Sequence, residues 1–162
     1  MNCSRDILGD YKLTSTVSEE DILRAAEEIL TRRFLREGTA SDPAAAGRIF
    51  KMRLAHLERE VFTVMFLDTR HRIIAIEDLF HGTIDGVEVH PRVVAQRGLA
   101  LNAAAVILAH NHPSGSTDPS AADRAVTAQL KSVLAGLDIR LLDHFVVGGA
   151  NPPVSLAARG WV

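Results

Sequence analysis

The chain has 162 residues, 47% of them hydrophobic and 23% charged, the ordinary make-up of one soluble globular domain. A domain of this size buries about 70% of the surface its unfolded chain exposes, so it needs neither metal nor disulfide to stay folded, and a metal site would be there for chemistry. Its 18 Lys and Arg against 20 Asp and Glu, spread evenly, exclude a basic arm, an acidic tail and the overall basic excess of a dedicated nucleic-acid binder, though not a local patch.

Residues 1–10 are polar and mixed in charge, without the apolar core of a signal peptide, and Cys3 is the sole cysteine, so no intrachain disulfide is expected. Ser18-Glu19-Glu20-Asp21 reads as a helix start, with Ser18 as cap and acidic side chains in the first turn. Ile22, Ala26, Ile29 and Leu30 recur at helical spacing, and Gly38 ends the segment. The turn-rich stretch 38–43 reads as a hinge, dividing an N-terminal helical extension, 1–41, from a main domain, 42–162. Asp42-Pro43 opens a second helix, cap followed by proline, that runs to about Leu57.

Residues 61–67 are apolar on both parities, as in a central strand covered on both faces. Residues 68–72 turn the chain into a second strand, 73–80, antiparallel to the first. A helix follows over 91–101, its apolar stripe interrupted by Arg97. Residues 103–112 begin as a buried strand and end polar; their apolar run, 103–109, is far short of the ~20 residues that span a bilayer. Val126, Leu130, Val133, Leu134 and Leu137 share one face of a helix over 120–137, and 139–147 form a last strand. The order ααββαβαβ predicts a mixed α/β fold, helices packed on one sheet, in a cytoplasmic protein without a membrane anchor.

Chemistry concentrates in residues 109–123. Side chains two apart on a strand point the same way, so His110 and His112 share a face while Asn111 turns from it. Pro113, Gly115 and Pro119 build a rigid loop back to a helix, where Asp123 in the first turn can supply an oxygen ligand. Two His and one carboxylate form a catalytic zinc set that leaves a fourth position for water, whose pKa such an ion lowers toward ~7. Ser120, one turn before Asp123, is placed to donate to an oxyanion beside the metal. A plainer reading exists for part of this: Ser120-Ala121-Ala122-Asp123 fits a capping box, which accounts for Ser and Asp by helix initiation. It leaves the paired histidines unexplained.

The spacing H-x-H, seven residues, S-x-x-D resembles the JAMM motif of MPN-domain zinc metalloproteases. The fuller string, from His110-Asn111-His112-Pro113-Ser114-Gly115 to Pro119-Ser120-Ala121-Ala122-Asp123, resembles the RadC family of bacterial proteins. Phe66-Leu67-Asp68-Thr69, Gly82-Thr83-Ile84-Asp85, Leu101-Asn102-Ala103-Ala104-Ala105 and Asp143-His144-Phe145-Val146-Val147 support it, from about residue 43 to the end. The resemblance implies an MPN/JAMM-like, cytidine-deaminase-like layered fold, a mixed central sheet flanked by helices. It implies one Zn2+ held by His110, His112 and Asp123, with Ser120 as transition-state stabiliser and a glutamate near the first core strand as base. Glu60 fits that position best, ahead of Glu58 and Glu77; read alone, it is equally an exposed charge at a strand start. No helix-hairpin-helix pattern of the long RadC form is present, so the short form is expected. His144 matches a family position without a mechanistic role; its parity places it with Arg140, Leu142 and Val146, and it reads as a satisfied histidine of the core or one that supports the ligands from behind. His56, His71, His81 and His90 read as surface or loop residues.

The leading expectation is a zinc-dependent hydrolase of peptide or isopeptide bonds, its substrate a protein or peptide. A DNA-repair or mobile-element protein is the second, its local support being Arg32, Arg33 and Arg36 on the first helix and Arg48, Lys51 and Arg53 on the next. A non-catalytic MPN scaffold is the third. The literal string His-Asn-His does not make an HNH nuclease, because three consecutive residues on a strand cannot converge as those spaced residues do.

Overall fold

The computed structural model describes residues 3–5, 11–13, 16–37, 42–84 and 86–162. Gly38, with most of the predicted hinge, lies outside them. The chain begins with an antiparallel pair, β1 (Cys3–Arg5) and β2 (Tyr11–Leu13), too short for periodicity to reveal. Helices α1 (Glu19–Glu37) and α2 (Pro43–Leu54) follow. The Asp42 side chain accepts from Ala44 N–H at 2.9 Å, and Pro43 opens α2, as expected; the helix stops three residues before Leu57.

Five strands form the main sheet, in the order β4 (Ile73–His81), β3 (Val61–Leu67), β5 (Ala105–Asn111), β6 (Arg140–Val147) and β7 (Val154–Ser155). Only β5 and β6 run parallel, joined by the crossover helix α4 (Ala121–Ala135); the remaining pairs are antiparallel. Helix α3 (Pro91–Ala100) lies between β4 and β5 in sequence, and Arg97 turns outward to fork onto Glu77 at 2.7 and 2.6 Å. This is a mixed α/β architecture of the JAB/MPN-like kind.

Strand β3 is buried along its whole length, as its two-sided apolar sequence requires. On one face Val61, Met65, Ile107 and Phe145 pack under Ile49 and Phe50 of α2, with Leu30 of α1 behind. On the other, Phe62, Phe66, Val106 and Leu108 pack under Val94 of α3 and Leu130 and Leu134 of α4. Arg53 ties α1 to the body through Glu27 and grips Asp78 of β4 at 2.9 and 3.1 Å.

Two local readings differ. Opposite Val106 and Ile107, β6 carries one extra residue, Leu142, so alternation breaks there: Leu142 shares the α2 face with Phe145 and Val147, and Leu141 faces α4. His144 therefore shares the α4 face with Leu141 and Val146, and strict alternation from Arg140 and Leu142 misplaces it. On α4 the buried stripe is Asp123, Thr127, Leu130 and Leu134, while Val133 is over a third exposed, as is Leu137, which lies past the end of the helix at Ala135. Counting apolar residues alone passes over Thr127 on the inward face.

Candidate metal centre

β5 and α4 deliver the three predicted ligands to one point. Alternation along β5 turns His110 toward α4, and His112, one residue past the strand, is held by its N–H to Val147 O at 2.8 Å. The following loop lies against the end of β6, where a Cβ on Gly148 would collide with the carbonyls of Gly115 and Ser116. Gly115 turns the loop with φ of 83°, a left-handed conformation that glycine adopts freely. The chain then reaches Ser120, the cap of α4. Asp123 N–H donates to Ser120 Oγ at 3.1 Å, while Ser120 N–H and hydroxyl donate to Asp123 Oδ2 at 2.7 and 2.8 Å. The capping box is real, and it aims the Asp123 carboxylate.

There the Nε2 atoms of His110 and His112 lie 3.0 Å apart, with Asp123 Oδ1 3.1 Å from the first and Oδ2 3.4 Å from the second. A tetrahedral ion bonded at 2.0–2.1 Å separates its ligands by roughly 3.3 Å, so the three side chains fit one such ion. His112 Nδ1 stands 3.1 Å from Ser116 O; a carbonyl only accepts, so that nitrogen carries the hydrogen and Nε2 presents its lone pair. Burial opposes ionisation of Asp123, yet the two imidazoles beside it and the Ser120 N–H outweigh it and hold its carboxyl far below the ordinary carboxylate range. The Asp123 carboxylate in turn raises the proton affinity of His112.

Glu60 lies just ahead of β3 and is buried, 8% exposed. Its N–H donates to Thr83 O at 2.9 Å and its carbonyl accepts from Gly82 N–H at 2.8 Å, extending the β3–β4 pairing. Asn111, between the two histidines and facing the other way, secures the same stretch. Its Oδ1 accepts from Val61 N–H at 2.8 Å, and Nδ2 donates to Arg59 O and Leu57 O at 2.9 and 3.3 Å. Glu60 lines a cavity of about 440 Å³ together with His110, His112, Ser120 and Asp123; Phe62, Val87, Val89 and Val126 make its apolar wall. Burial pushes the Glu60 carboxyl above its usual range, against the pull of His110 and His112. Glu58 is exposed and Glu77 is held by Arg97, so of the three glutamates only Glu60 enters the cavity.

A family model described as RadC-like JAB domain matches residues 40–161. The chain belongs to this family. Over 144 residues, 86% of the chain, it is 54% identical to a UPF0758 protein of Xylella fastidiosa (strain 9a5c). Over the same length it is 56% identical to a UPF0758 protein of Xanthomonas campestris pv. campestris (strain 8004). The chain spans 64% of the length of each of these relatives.

Two site residues of this RadC-like JAB domain, Asn111 and Thr127, had no site role in the sequence reading, and His144 proves to be the satisfied buried histidine expected, behind His110. His144 is completely buried, with Nε2 2.8 Å from His110 Nδ1 and Nδ1 2.6 Å from Thr127 Oγ1. Phe62 stacks on His110 and meets His144 edge-on, fixing both ring planes. The signal available was the i, i+4 step from Asp123 to Thr127, which continues the helix face that carries the ligand. The α2 basic side chains are tied within the fold, Arg48 to Asp42, Lys51 to the carbonyl of Ala150, and Arg53 to Asp78 and Glu27. Side chains of Arg32, Arg33 and Arg36 lie outside the described ones. Among the described residues no helix is long and apolar enough to cross a membrane.

Proposed function

We propose that this JAB domain is a zinc-dependent hydrolase of peptide or isopeptide bonds, its partner a protein or peptide chain. One observation carries the reading: two imidazole Nε2 atoms and a carboxylate converge at tetrahedral spacing in a cavity whose remaining buried acid is Glu60. Zinc is the ion argued from this donor set, two neutral nitrogens and one oxygen with a fourth position open. Bound there, it would supply Lewis-acid polarisation of a carbonyl and a nucleophile at neutral pH.

Glu60 takes the proton of the attacking water and returns it to the leaving nitrogen; a raised proton affinity suits a base that must later act as acid. Ser120 spends its hydroxyl hydrogen on Asp123 Oδ2 in the resting chain, and stabilises an oxyanion by turning from that partner into the cavity. The apolar wall excludes water beside the scissile bond and receives the substrate's own apolar side chains.

Zinc titration of the purified chain, followed by elemental analysis, should give one ion per chain, and His110→Ala should take up none. Glu60→Gln should keep its zinc while hydrolysis of isopeptide-linked and linear peptide substrates falls ~10²–10⁴-fold. A parent chain that leaves zinc unbound at micromolar concentration sinks the metal reading, and a Glu60→Gln chain as active as its parent sinks the base. Full zinc with no hydrolysis of any peptide would favour the scaffold.

A further inference from the structure

We propose that Thr127 and His144 are positioning residues that hold His110 in the tautomer whose Nε2 lone pair faces His112 and Asp123, so the ligand face is set before an ion arrives. This rests on the reading of His110 as a metal ligand. The geometry comes from a chain of three contacts. Thr127 Oγ1 stands 2.5 Å from the carbonyl of Asp123 and 2.6 Å from His144 Nδ1, and His144 Nε2 stands 2.8 Å from His110 Nδ1.

Only one direction of donation satisfies all three. A carbonyl has no hydrogen to give, so the Thr127 hydroxyl donates to Asp123 O and accepts from His144 Nδ1–H. His144 is completely buried and its two ring nitrogens face a hydroxyl and another imidazole, not a carboxylate, so it carries a single ring hydrogen. With that hydrogen on Nδ1, Nε2 is bare and accepts from His110 Nδ1–H. The reverse direction would set Thr127 Oγ1 and Asp123 O 2.5 Å apart with no hydrogen between them.

The chain therefore starts at the backbone of one ligand residue, Asp123, and ends at the ring of another, His110. His112 reaches the same tautomer by a shorter route, through the carbonyl of Ser116. Both imidazoles thus keep Nε2 free for an ion, and the His110 ring is fixed by fully buried partners, Thr127 and His144. Groups that orient metal-binding histidines in this way typically change metal affinity 10–100-fold when removed.

The test uses the full chain and zinc as probe. Thr127→Val keeps the shape and removes the hydroxyl; Thr127→Ser keeps the hydroxyl. In the metal-free parent, long-range 1H–15N spectra should show His110 protonated at Nδ1. Thr127→Val should mix the His110 tautomers and weaken zinc binding about 10–100-fold in competition with a chromophoric chelator. Thr127→Ser should restore both, and His144→Leu should weaken binding at least as far as Thr127→Val. A parent His110 protonated at Nε2, or a Thr127→Val chain that binds zinc within twofold of the parent, overturns the proposal. A parent that binds no zinc overturns the metal reading instead, while its spectrum still reports the tautomer. Should His144→Leu fail to fold, the two Thr127 variants decide alone.

Discussion

The string S-x-x-D opens two helices in this chain, α1 at Ser18–Asp21 and α4 at Ser120–Asp123, and both form the same reciprocal cap. Asp21 N–H donates to Ser18 Oγ at 3.1 Å, with Ser18 N–H and hydroxyl on Asp21 Oδ2 at 3.2 and 2.9 Å; the second set repeats this within half an ångström. The surroundings differ. Asp21 is partly exposed, and its carboxyl is lowered chiefly by the hydrogen bonds of Ser18. Asp123 is buried against β5, where two imidazoles hold it far lower. One local solution to helix initiation thus serves only the helix in one place and aims a carboxylate at two imidazoles in the other. What separates them is the sheet that α4 crosses.

The largest effect should come from breaking the carboxylates while keeping the caps. Asparagine retains a side-chain oxygen for the serine N–H, so Asp21→Asn and Asp123→Asn preserve most of each cap. Asp123→Asn should lower zinc affinity more than about 100-fold, beyond the range for residues that only orient ligands. Asp21→Asn should leave zinc titration unchanged and shift stability by no more than about 1 kcal/mol. Equal zinc affinity in the two variants would remove Asp123 from the ligand set.

Asn111→Ala sharpens the contrast from the opposite face of β5. It touches neither cap and no ligand atom, but it strips Val61 N–H and the carbonyls of Leu57 and Arg59 of their partner. Leaving such groups unpaired costs about 1–3 kcal/mol, read by denaturant unfolding. Because those bonds frame Glu60, zinc affinity should hold while any hydrolytic kcat falls. Loss of zinc in proportion to activity would show that Asn111 supports the histidines instead.

Sequence carried much of this arrangement, for physical reasons that also mark its limits. Two-sided burial of β3, the Asp42-Pro43 start of α2 and the strand–loop–helix around His110, His112 and Asp123 all follow from short-range rules. His144 did not, because a one-residue slip in β6 reverses parity, and nothing within β6 announces the slip. Thr127 did not, because a helix face counted by its apolar members passes over a hydroxyl spent on its own backbone. Asn111 was seen to face away from the site, but not that the chain beside Glu60 waits there to be held. In each case the missing information is a partner distant in sequence.

The smallest expected effect separates cap from ligand most cleanly. Ser18→Ala and Ser120→Ala each remove a hydroxyl that accepts one backbone N–H and donates to one carboxylate, so each should cost about 1 kcal/mol of stability. For Ser18 that ends the account, since Asp21 is partly exposed and water reaches the oxygen that loses the hydroxyl. For Ser120 the lost donor also fixed Asp123 Oδ2, 3.4 Å from His112 Nε2, so zinc affinity should fall by up to about tenfold as well. If both variants lose the same stability and Ser120→Ala binds zinc like its parent, the α4 cap only starts a helix and the sheet alone aims the carboxylate. If zinc holds but hydrolysis collapses, Ser120 acts on the substrate, turned away from the cap.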